Sequence, residues 1–252
     1  MTSSKIKYSI VITTFDRRFQ SHLIPLLNDI HNQNIPPPNE VIVMINGPHR
    51  SNFNQEYRRQ ILTFLSDYEN VYPTMFPNFQ SLAKLWNRGI LTAQHDMVLV
   101  LNDDLRLEPM FFESLEKEIS SRSRTFRING SFSHYMAFKP ELIEVGFFDE
   151  RLLGIGEEDG DFAWRYYKKF GREISSVNIP FVDNIQSDIA DPGFSKGIRN
   201  YSKFNREFIL NTKYKRSIFG HKSMFDYKVV QQVEDLPQYP YENFYRAHLK
   251  DL

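Results

Sequence analysis

A short apolar run that ends in three polar residues constrains the fold of this chain more than any other feature. Residues 97–101 are apolar and mostly branched, and Asn102, Asp103 and Asp104 follow them directly. Such a run is typical of a strand that is buried on both faces, as in the centre of a parallel sheet. We therefore predict a central parallel strand whose carboxyl end carries side-chain oxygens.

The position of these oxygens suggests a ligand site. Open α/β sheets bind ligands outside the carboxyl ends of their strands, and oxygen ligands suit Mg²⁺ or Mn²⁺, which typically hold a diphosphate. Asn102 and Asp104 would point the same way on an extended chain, while Asp103 turns aside. A strand followed by an ordinary turn explains the same residues, because Asn and Asp dominate turns. These residues alone leave both interpretations open.

Length and composition limit the classes of protein that fit. The 252 residues suffice for one large α/β domain with an extension, or for at most two small domains. The 31 basic and 31 acidic residues cancel, so nothing points to a polyanionic partner such as nucleic acid. The absence of cysteine excludes disulfides and thiolate chemistry and fits a reducing compartment. Since no signal-peptide run and no window of roughly 18 apolar residues is found, we expect a cytoplasmic protein.

The rest of the chain alternates predicted strands and helices, which favours a mostly parallel sheet flanked by helices. Periodicity predicts strands at 8–13, 40–45, 71–72, 97–101 and 175–182, and helices at 55–65, 78–93, 111–119 and 162–170. Asn87 and Gly89 interrupt the second of these helices, the glycine at a cost of about 1 kcal/mol. Either they are neutral helix residues, or they mark a close approach to a nucleotide or to the neighbouring strand.

Four carboxylates surround the predicted start of the last helix, namely Glu157, Glu158, Asp159 and Asp161. Helix capping and the macrodipole reward such residues by about 0.3–1 kcal/mol each. Four in five positions exceed what capping needs, because their mutual repulsion has to be relieved by a cation, a proton or a bound ligand. The cluster is therefore a second candidate site.

Several segments, read in order, resemble the motifs of one enzyme family. They are SIVITTFDR at 9–17, EVIVMINGP at 40–48, NFQSLAKLWNRGI at 78–90, MVLVLNDDLRLEP at 97–109 and GFFDERLLGIGEEDGDFAWR at 146–165. Together they resemble the GT-A glycosyltransferases, in particular the family 2 type and its rhamnosyltransferase-like members. The resemblance implies a GT-A, Rossmann-like catalytic domain at 5–198, with a mostly parallel central sheet flanked by helices, and a helical or irregular C-terminal extension at 199–252.

The resemblance also implies roles for individual residues. Asp104 matches the last Asp of the family's metal-binding DxD motif, with Asn102 at its first position as a further metal ligand and Asp103 at its middle one. Asp159 matches the Asp of the ED motif, the family's general base, with Glu158 as its catalytic neighbour. The donor-binding positions are matched by Thr13, Phe15 and Asn46 at the nucleoside, and by Asn87, Asn102 and Asp103.

Three departures from the family pattern bear on the site. Ile45 stands where many members have a base-contacting Asp, and the DxD motif opens with Asn, which removes one charge from the metal site. Family members often supply a further metal-binding His after the ED helix, but no His lies between His134 and His221. His134 itself is interpreted as a structural or acceptor-lining residue. The residues that stay open as the further ligand are Asp183, Asn184, Gln186 and Asp188.

The resemblance implies a metal-dependent, inverting transfer of a sugar from a nucleotide-diphosphate sugar to a hydroxyl of a glycan or lipid-linked acceptor. Surface polysaccharide or glycan synthesis is the expected setting, with Mn²⁺ or Mg²⁺ as cofactor and dTDP or UDP as preferred nucleotide. A sugar nucleotidyltransferase and a catalytically silent sugar-binding module are the alternatives. The loop TTFDRR contains no glycine, which argues against the first, and carboxylates in both motifs argue against the second.

The segment 213–228 interleaves five basic residues with four aromatic ones. Such a segment suits an acidic membrane surface, where a peripheral enzyme meets a lipid-linked acceptor. A segment packed on the catalytic domain, or on a second subunit of a homo-oligomer, fits it equally in composition. We favour the packed arrangement, although the irregular periodicity does not decide between the two.

Overall fold

The computed structural model describes residues 7–15, 18–38, 40–47, 55–77, 79–185, 201–216 and 222–224. The chain groups into two compact units. The first consists of Met1–Phe79, Gly89–Leu142 and Ile174–Ser187, and the second of Gln80–Arg88, Ile143–Glu173 and Asp188–Leu252. The predicted domain boundary at 198/199 stays a prediction.

The first unit contains a sheet of seven strands. Its strands and those beside it are β1 (Ser9–Thr14), β2 (Val41–Ile45), β3 (Val71–Met75), β4 (Met97–Asn102), β5 (Leu105–Leu107), β6 (Phe126–Ile128), β7 (Ser131–Phe138), β8 (Ser175–Val177) and β9 (Val182–Asn184). The sheet order is β3-β2-β1-β4-β7-β6-β8. Only β7 runs antiparallel to its neighbours β4 and β6, which confirms the predicted mostly parallel α/β sheet.

Helices connect these strands. They are α1 (Ile24–His31), preceded by a π-helical turn at Phe19–Leu23, α2 (Gln55–Leu65), α3 (Leu82–Thr92), α4 (Phe111–Ser120), α5 (Lys139–Val145), α6 (Glu158–Phe170) and α7 (201–208). A second π-helical turn, Ile209–Lys213, leads from α7 to a hairpin of β10 (Tyr214–Arg216) and β11 (Lys222–Met224). In the described part of the chain, every helix is too short or too polar to span a membrane.

The central strands are as buried as their apolar sequences predict. β1 and β2 are buried along their whole lengths, and β4 is buried at its four central residues. β1 pairs in parallel with both β2 and β4, so that Thr14 lies opposite Ile45 and Thr13 lies opposite Asn102. The carboxyl ends of the three strands therefore meet at one edge of the sheet.

One predicted strand, 175–182, is two short strands instead. β8 pairs with β6, whereas β9 pairs with β5 in a separate sheet. Between β8 and β9, the backbone of Ile179 bonds to a side chain instead of a strand. The Asn129 amide accepts from the Ile179 N–H at 2.9 Å and donates to the Ile179 carbonyl at 2.8 Å. Hydrogen bonds from a side chain satisfy the backbone here.

Gly89 lets α3 approach β1 closely. A Cβ atom at this position would lie 2.4 Å from Val11 Cγ1 and 3.2 Å from Met44 Cγ. The close approach that Gly89 was predicted to allow is therefore an approach to the neighbouring strand.

Gly89→Ala is expected to lower the free energy of unfolding by about 1–3 kcal/mol, because the added methyl overpacks the interface with β1. Gly160→Ala is the matched control, since Gly160 is also helical and a Cβ there meets nothing within 4 Å. That variant should be neutral or more stable by up to about 1 kcal/mol. Urea unfolding measures both, and equal stabilities would contradict the close packing.

Candidate functional site

A buried carboxylate joins the end of β4 to the loop after β1. Asp103 is 1% exposed, and it accepts hydrogen bonds from Arg18 Nη1 and from Thr14 Oγ1, each at 2.7 Å. Burial raises the pKa of Asp103 to about 6, although the charge of Arg18 acts in the opposite direction. Asp103 therefore anchors the loop, and its predicted contact with the donor stays a prediction.

Asp104 is placed differently. Its side chain is 23% exposed, and its Oδ2 lies 3.5 Å from Arg18 Nη1. The other carboxylate oxygen, Oδ1, is buried and has no hydrogen-bond partner among the residues that the structure describes. A buried acceptor without a partner costs about 1–3 kcal/mol of desolvation, so such atoms in native proteins usually meet a ligand, an ion or a water. Asp104 thus offers one unpaired oxygen at the edge where β1, β2 and β4 end.

The other predicted donor-side residues of the first unit surround this edge. Thr13 Oγ1 donates to Asn102 Oδ1 at 3.0 Å, and the Asn46 N–H donates to the Thr14 carbonyl at 2.8 Å. The Arg18 guanidinium lies over the Phe15 ring, 4.8 Å from its centre. The structure therefore brings together Thr13, Phe15, Asn46, Asn102, Asp103 and Asp104.

The chemistry of these groups fits one divalent ion that also takes phosphate ligands. Mg²⁺ and related ions are usually bound through one or two carboxylates together with substrate phosphates and waters. Asp104 Oδ1 supplies a carboxylate oxygen, and Asn102 Oδ1, which accepts from Thr13, is an amide oxygen with two lone pairs. Among the residues that the structure describes, no three His, Asp or Glu side chains form a complete metal site by themselves.

Two histidines that the sequence did not assign to the metal lie near the same carboxylate. His134, on β7, is 4% exposed, and His22, in the first π-helical turn, is 6% exposed. Burial lowers the pKa of His134 to about 4, against the opposing charge of Asp104. Burial and the charge of Arg18 lower the pKa of His22, again against Asp104. No periodicity marks these positions, because strand register brings His134 to β4 and an irregular turn carries His22.

Of the four residues that stayed open as a further ligand, two are described. β9 pairs with β5, so that Asn184 lies opposite Leu105 and the Ile185 N–H donates to the Asp104 carbonyl at 2.7 Å. Asn184 Oδ1 accepts from Ser133 Oγ at 3.4 Å. Asp183 and Asn184 are exposed, whereas Gln186 and Asp188 lie outside the described residues.

The predicted donor-side residue Asn87 belongs to the second unit. Its side chain is fully buried and donates to the Phe148 carbonyl at 2.8 Å and to Glu150 Oε1 at 2.9 Å, while it accepts from the Phe148 N–H at 3.0 Å. Both amide hydrogens are therefore used to hold the segment that follows α5. A contact between Asn87 and the donor stays a prediction.

The acidic cluster also lies in the second unit. Its four carboxylates differ in burial and in their partners. α6 begins at Glu158, one turn earlier than predicted. Glu158 is 5% exposed, and its Oε2 accepts from the Gly156 N–H at 2.6 Å. Burial, followed by the charge of Asp159, raises the pKa of Glu158 to about 8. A proton on Glu158 thus relieves part of the repulsion that the sequence predicted.

Asp161 is neutralised by cations instead. It accepts from Arg165 Nε at 2.9 Å, from Lys213 Nζ at 2.8 Å and from the Tyr214 hydroxyl. Lys213 is completely buried and also donates to Asp149 Oδ2 at 2.5 Å. Burial alone would raise the pKa of Asp149, but hydrogen bonds from Arg151 and the charge of Lys213 lower it to about 2. The carboxylates of Asp161 and Asp149 are therefore occupied by structural contacts.

Asp159 alone of the cluster keeps an available carboxylate. It is half-buried, and its Oδ1 accepts from the Gly160 N–H at 2.8 Å. Glu157, its second neighbour, pairs with Arg206 Nη2 at 2.8 Å, whereas Asp159 pairs with no cation among the described residues. A half-exposed carboxylate of this kind can accept a proton from a hydroxyl.

Helix α7 holds the loop that precedes Asp159, a contact that the sequence did not reveal. The Asn205 amide donates to the carbonyls of Leu153 and Gly156 at 2.8 and 2.7 Å and accepts from the Leu153 N–H at 2.7 Å. Gly154, at φ +54°, lies against the Tyr201 ring. Tyr201 and Asn205 fall within the segment 199–252, which was predicted to be a helical or irregular extension.

Known proteins share the fold of this chain. The family model described as glycosyl transferase family 2 matches residues 9–144, which is more than half of the chain. No curated protein sequence matches it. S. aureus TarS matches with a TM-score of 0.56 at 16% identity, over 82% of this chain and 46% of that one.

Two further structures carry ligands. S. aureus TarS 1–349 in complex with UDP matches with a TM-score of 0.54 at 14% identity, over 82% of this chain and 73% of that one. GalNAc-T7 with UDP, GalNAc and Mn²⁺ matches with a TM-score of 0.59 at 12% identity, over 71% of this chain and 44% of that one. At these identities the likeness shows the GT-A fold, and the chain spans less than half of the full TarS structure.

Proposed function

Because this chain belongs to glycosyl transferase family 2, we propose that it is a metal-dependent, inverting glycosyltransferase. The donor is a nucleotide-diphosphate sugar, and the acceptor is a hydroxyl of a glycan or lipid-linked molecule in surface polysaccharide or glycan synthesis. The family match favours a glycosyltransferase over a sugar nucleotidyltransferase. The observation that carries the proposal is the unpaired Oδ1 of Asp104 at the carboxyl end of β4, inside the matched region.

Asp104 and Asn102 bind the donor through a divalent ion, in this proposal. The ion, when bound, neutralises the charge that develops on the departing nucleoside diphosphate. Thr13, Phe15 and Asn46 face the nucleoside. Arg18 holds Asp103 and lies 3.5 Å from Asp104, so it fixes the loop that the nucleoside meets.

Asp159 is the general base of the proposed reaction. Its carboxylate takes the proton of the acceptor hydroxyl, whose oxygen attacks the anomeric carbon from the face opposite the leaving group, so the configuration inverts. The half-exposed carboxylate and its lack of a cationic partner among the described residues support this role. Protonated Glu158 positions the start of α6 through its bond from Gly156.

UDP and dTDP are the nucleotides that we propose for the donor. TarS 1–349 is described in complexes with UDP and with UDP-GlcNAc, and GalNAc-T7 with UDP, GalNAc and Mn²⁺. These complexes favour UDP and Mn²⁺ as the first pair to test. A peripheral contact with a membrane or a second subunit is also proposed, for the part of 213–228 outside the described residues.

UDP with Mn²⁺ is expected to raise the melting temperature of the protein. A ligand that binds only the folded state, at a concentration of 100 times its Kd, stabilises that state by about 2.7 kcal/mol. The Mn²⁺-dependent part of the shift should disappear in Asp104→Asn. Asp67→Asn, at an exposed residue of the same unit, should keep it. Thermal shift with UDP, dTDP and GDP, each with and without Mn²⁺, measures the effect. An equal shift without Mn²⁺ would contradict the metal dependence.

Turnover distinguishes the enzyme from a silent binding module. Release of nucleoside diphosphate from a panel of UDP-, dTDP- and GDP-sugars with Mn²⁺ should be detectable, and NMR of the product should show inversion at the anomeric carbon. Donor binding without release on any acceptor would favour the silent module.

A further inference from the structure

The metal site of the proposed enzyme lacks an identified ligand beyond Asp104 and Asn102. The sequence offers no His after α6 in the region where the family often has one, since His134 and His221 are consecutive histidines. A further ligand is expected to be a buried atom that lacks a hydrogen-bond partner. Within the described part of the chain, three such atoms near this edge are Asp104 Oδ1, His134 Nε2 and His22 Nε2.

His134 is fixed close to the end of β4. β7 runs antiparallel to β4, and His134 lies opposite Leu101, the residue before Asn102. β9 links the two positions, because Asn184 accepts from the neighbouring Ser133 and Ile185 donates to the Asp104 carbonyl. The negative charge of Asp104 also acts on the His134 ring. The ring is 4% exposed, which rules out a partner in bulk water for its Nε2 atom.

The hydrogen bonds behind the ring favour a free lone pair on Nε2. Ser133 Oγ lies 2.9 Å from His134 Nδ1, and it also donates to Asn184 Oδ1 at 3.4 Å. Ser133 Oγ also lies 2.7 Å from Ser131 Oγ. A hydroxyl has a single hydrogen, so when Ser133 donates it to Asn184 or to Ser131, it accepts from the Nδ1–H of His134. This tautomer leaves Nε2 without a proton. Metal-binding histidines usually have this arrangement, with the other ring nitrogen donating to an oxygen.

We propose that His134 Nε2 binds the same divalent ion as Asp104 Oδ1. The inference rests on the proposed function, because it extends the metal site of that function. Both atoms are buried acceptors without a partner among the described residues, and a shared cation would satisfy both. Asn102, the donor phosphates and water complete the coordination. A nitrogen ligand also favours Mn²⁺ over Mg²⁺, which takes oxygen ligands almost exclusively.

His22 is the weaker choice. Its Nε2 is also unpartnered, and its Nδ1 lies 2.6 Å from Ser21 Oγ. However, the positive charge of Arg18 acts on the His22 ring together with the negative charge of Asp104. A neighbouring guanidinium repels a second cation, so the position beside His22 is less favourable for a metal.

Pulsed EPR of bound Mn²⁺ tests the proposal without relying on activity. The full chain without an affinity tag, loaded with Mn²⁺ and UDP, should show ¹⁴N couplings from one directly bound imidazole. The couplings should be lost in His134→Asn, and the Kd of Mn²⁺ should rise at least about tenfold. His31→Gln is the matched control, because His31 uses both ring nitrogens, bonded to the Leu27 carbonyl and to Asn70 Oδ1. That variant should keep the couplings.

A second measurement uses the unmodified protein, in case His134→Asn fails to fold. Labelling all histidines with ¹⁵N should replace the ¹⁴N couplings of bound Mn²⁺ with ¹⁵N couplings. Mn²⁺ that depends on Asp104 but shows no nitrogen coupling would overturn the role of His134 and leave the proposed function intact. Couplings lost in His22→Asn rather than in His134→Asn would overturn it as well. No Mn²⁺ binding with UDP would overturn both this inference and the metal dependence.

Discussion

Asp159→Asn is expected to lower the rate of sugar transfer by about 10²–10⁴-fold, the usual contribution of a general base. The amide has the size of the carboxylate and can still accept from the Gly160 N–H, but it cannot take a proton. The KM for the donor should change little, because the proposed donor contacts involve other residues. Initial rates at saturating donor and acceptor measure the effect.

The control for this prediction is Glu173→Gln, which removes an exposed carboxylate from the same unit and should keep the rate within about a factor of two. Both variants should melt near the temperature of the unchanged protein, since Asp159 contributes at most about 1 kcal/mol as a carboxylate at a helix start. An Asp159→Asn enzyme that keeps most of its rate would leave Asp159 with a capping role only.

Lys213→Met should have the largest effect on stability. Lys213 is completely buried between Asp149 and Asp161, at 2.5 and 2.8 Å. Its removal breaks both buried ion pairs and leaves each carboxylate with a single arginine, a loss of about 3–5 kcal/mol. Urea unfolding at neutral pH measures the loss. The control is Lys203→Met, because Lys203 is exposed on α7 and its replacement should stay within about 0.5 kcal/mol.

The pH dependence gives the same prediction a second readout. The pKa of Asp149 falls from 3.8 to about 2 in the folded protein. A lowered carboxyl pKa stabilises the fold above the unfolded pKa, and this stability is lost as the pH falls from about 4 towards 2. In Lys213→Met the acid-side loss should be smaller, because a source of the lowered pKa is gone. A variant whose unfolding free energy differs by less than about 1 kcal/mol would contradict the role of Lys213.

The sequence predicted the strands that end around Asn102 well because its signals are local. Consecutive branched residues in β1, β2 and β4 identify buried parallel strands, and the polar residues that end β4 mark the edge where ligands bind. The separate roles of Asp103 and Asp104 also follow from strand alternation, because adjacent residues of an extended chain point to opposite sides. Asp103 turns to Arg18, whereas Asp104 keeps an unpaired oxygen.

Other parts of the candidate site depend on contacts between distant residues. Asp161 and Lys213 are 52 positions apart, and Asp149 and Lys213 are 64 apart. The basic and aromatic start of 213–228 looks like a surface segment in the sequence, yet Lys213 and Tyr214 are buried because two carboxylates and a hydroxyl bond satisfy their polar atoms. Similarly, only the register of β7 against β4 reveals His134.

The bonds from Asn205 to the loop at 153–156 bear on where the protein can be shortened. A version ended at residue 144, where the family match stops, would omit Asp159 altogether. A version ended at 198 would keep Asp159 but remove Asn205 and Lys213. Three backbone groups of the loop would lose their partner, and Asp149 and Asp161 would each lose one of their cations. A shortened version that keeps all these contacts around the proposed general base therefore extends through β10, whose first residue, Tyr214, bonds Asp161.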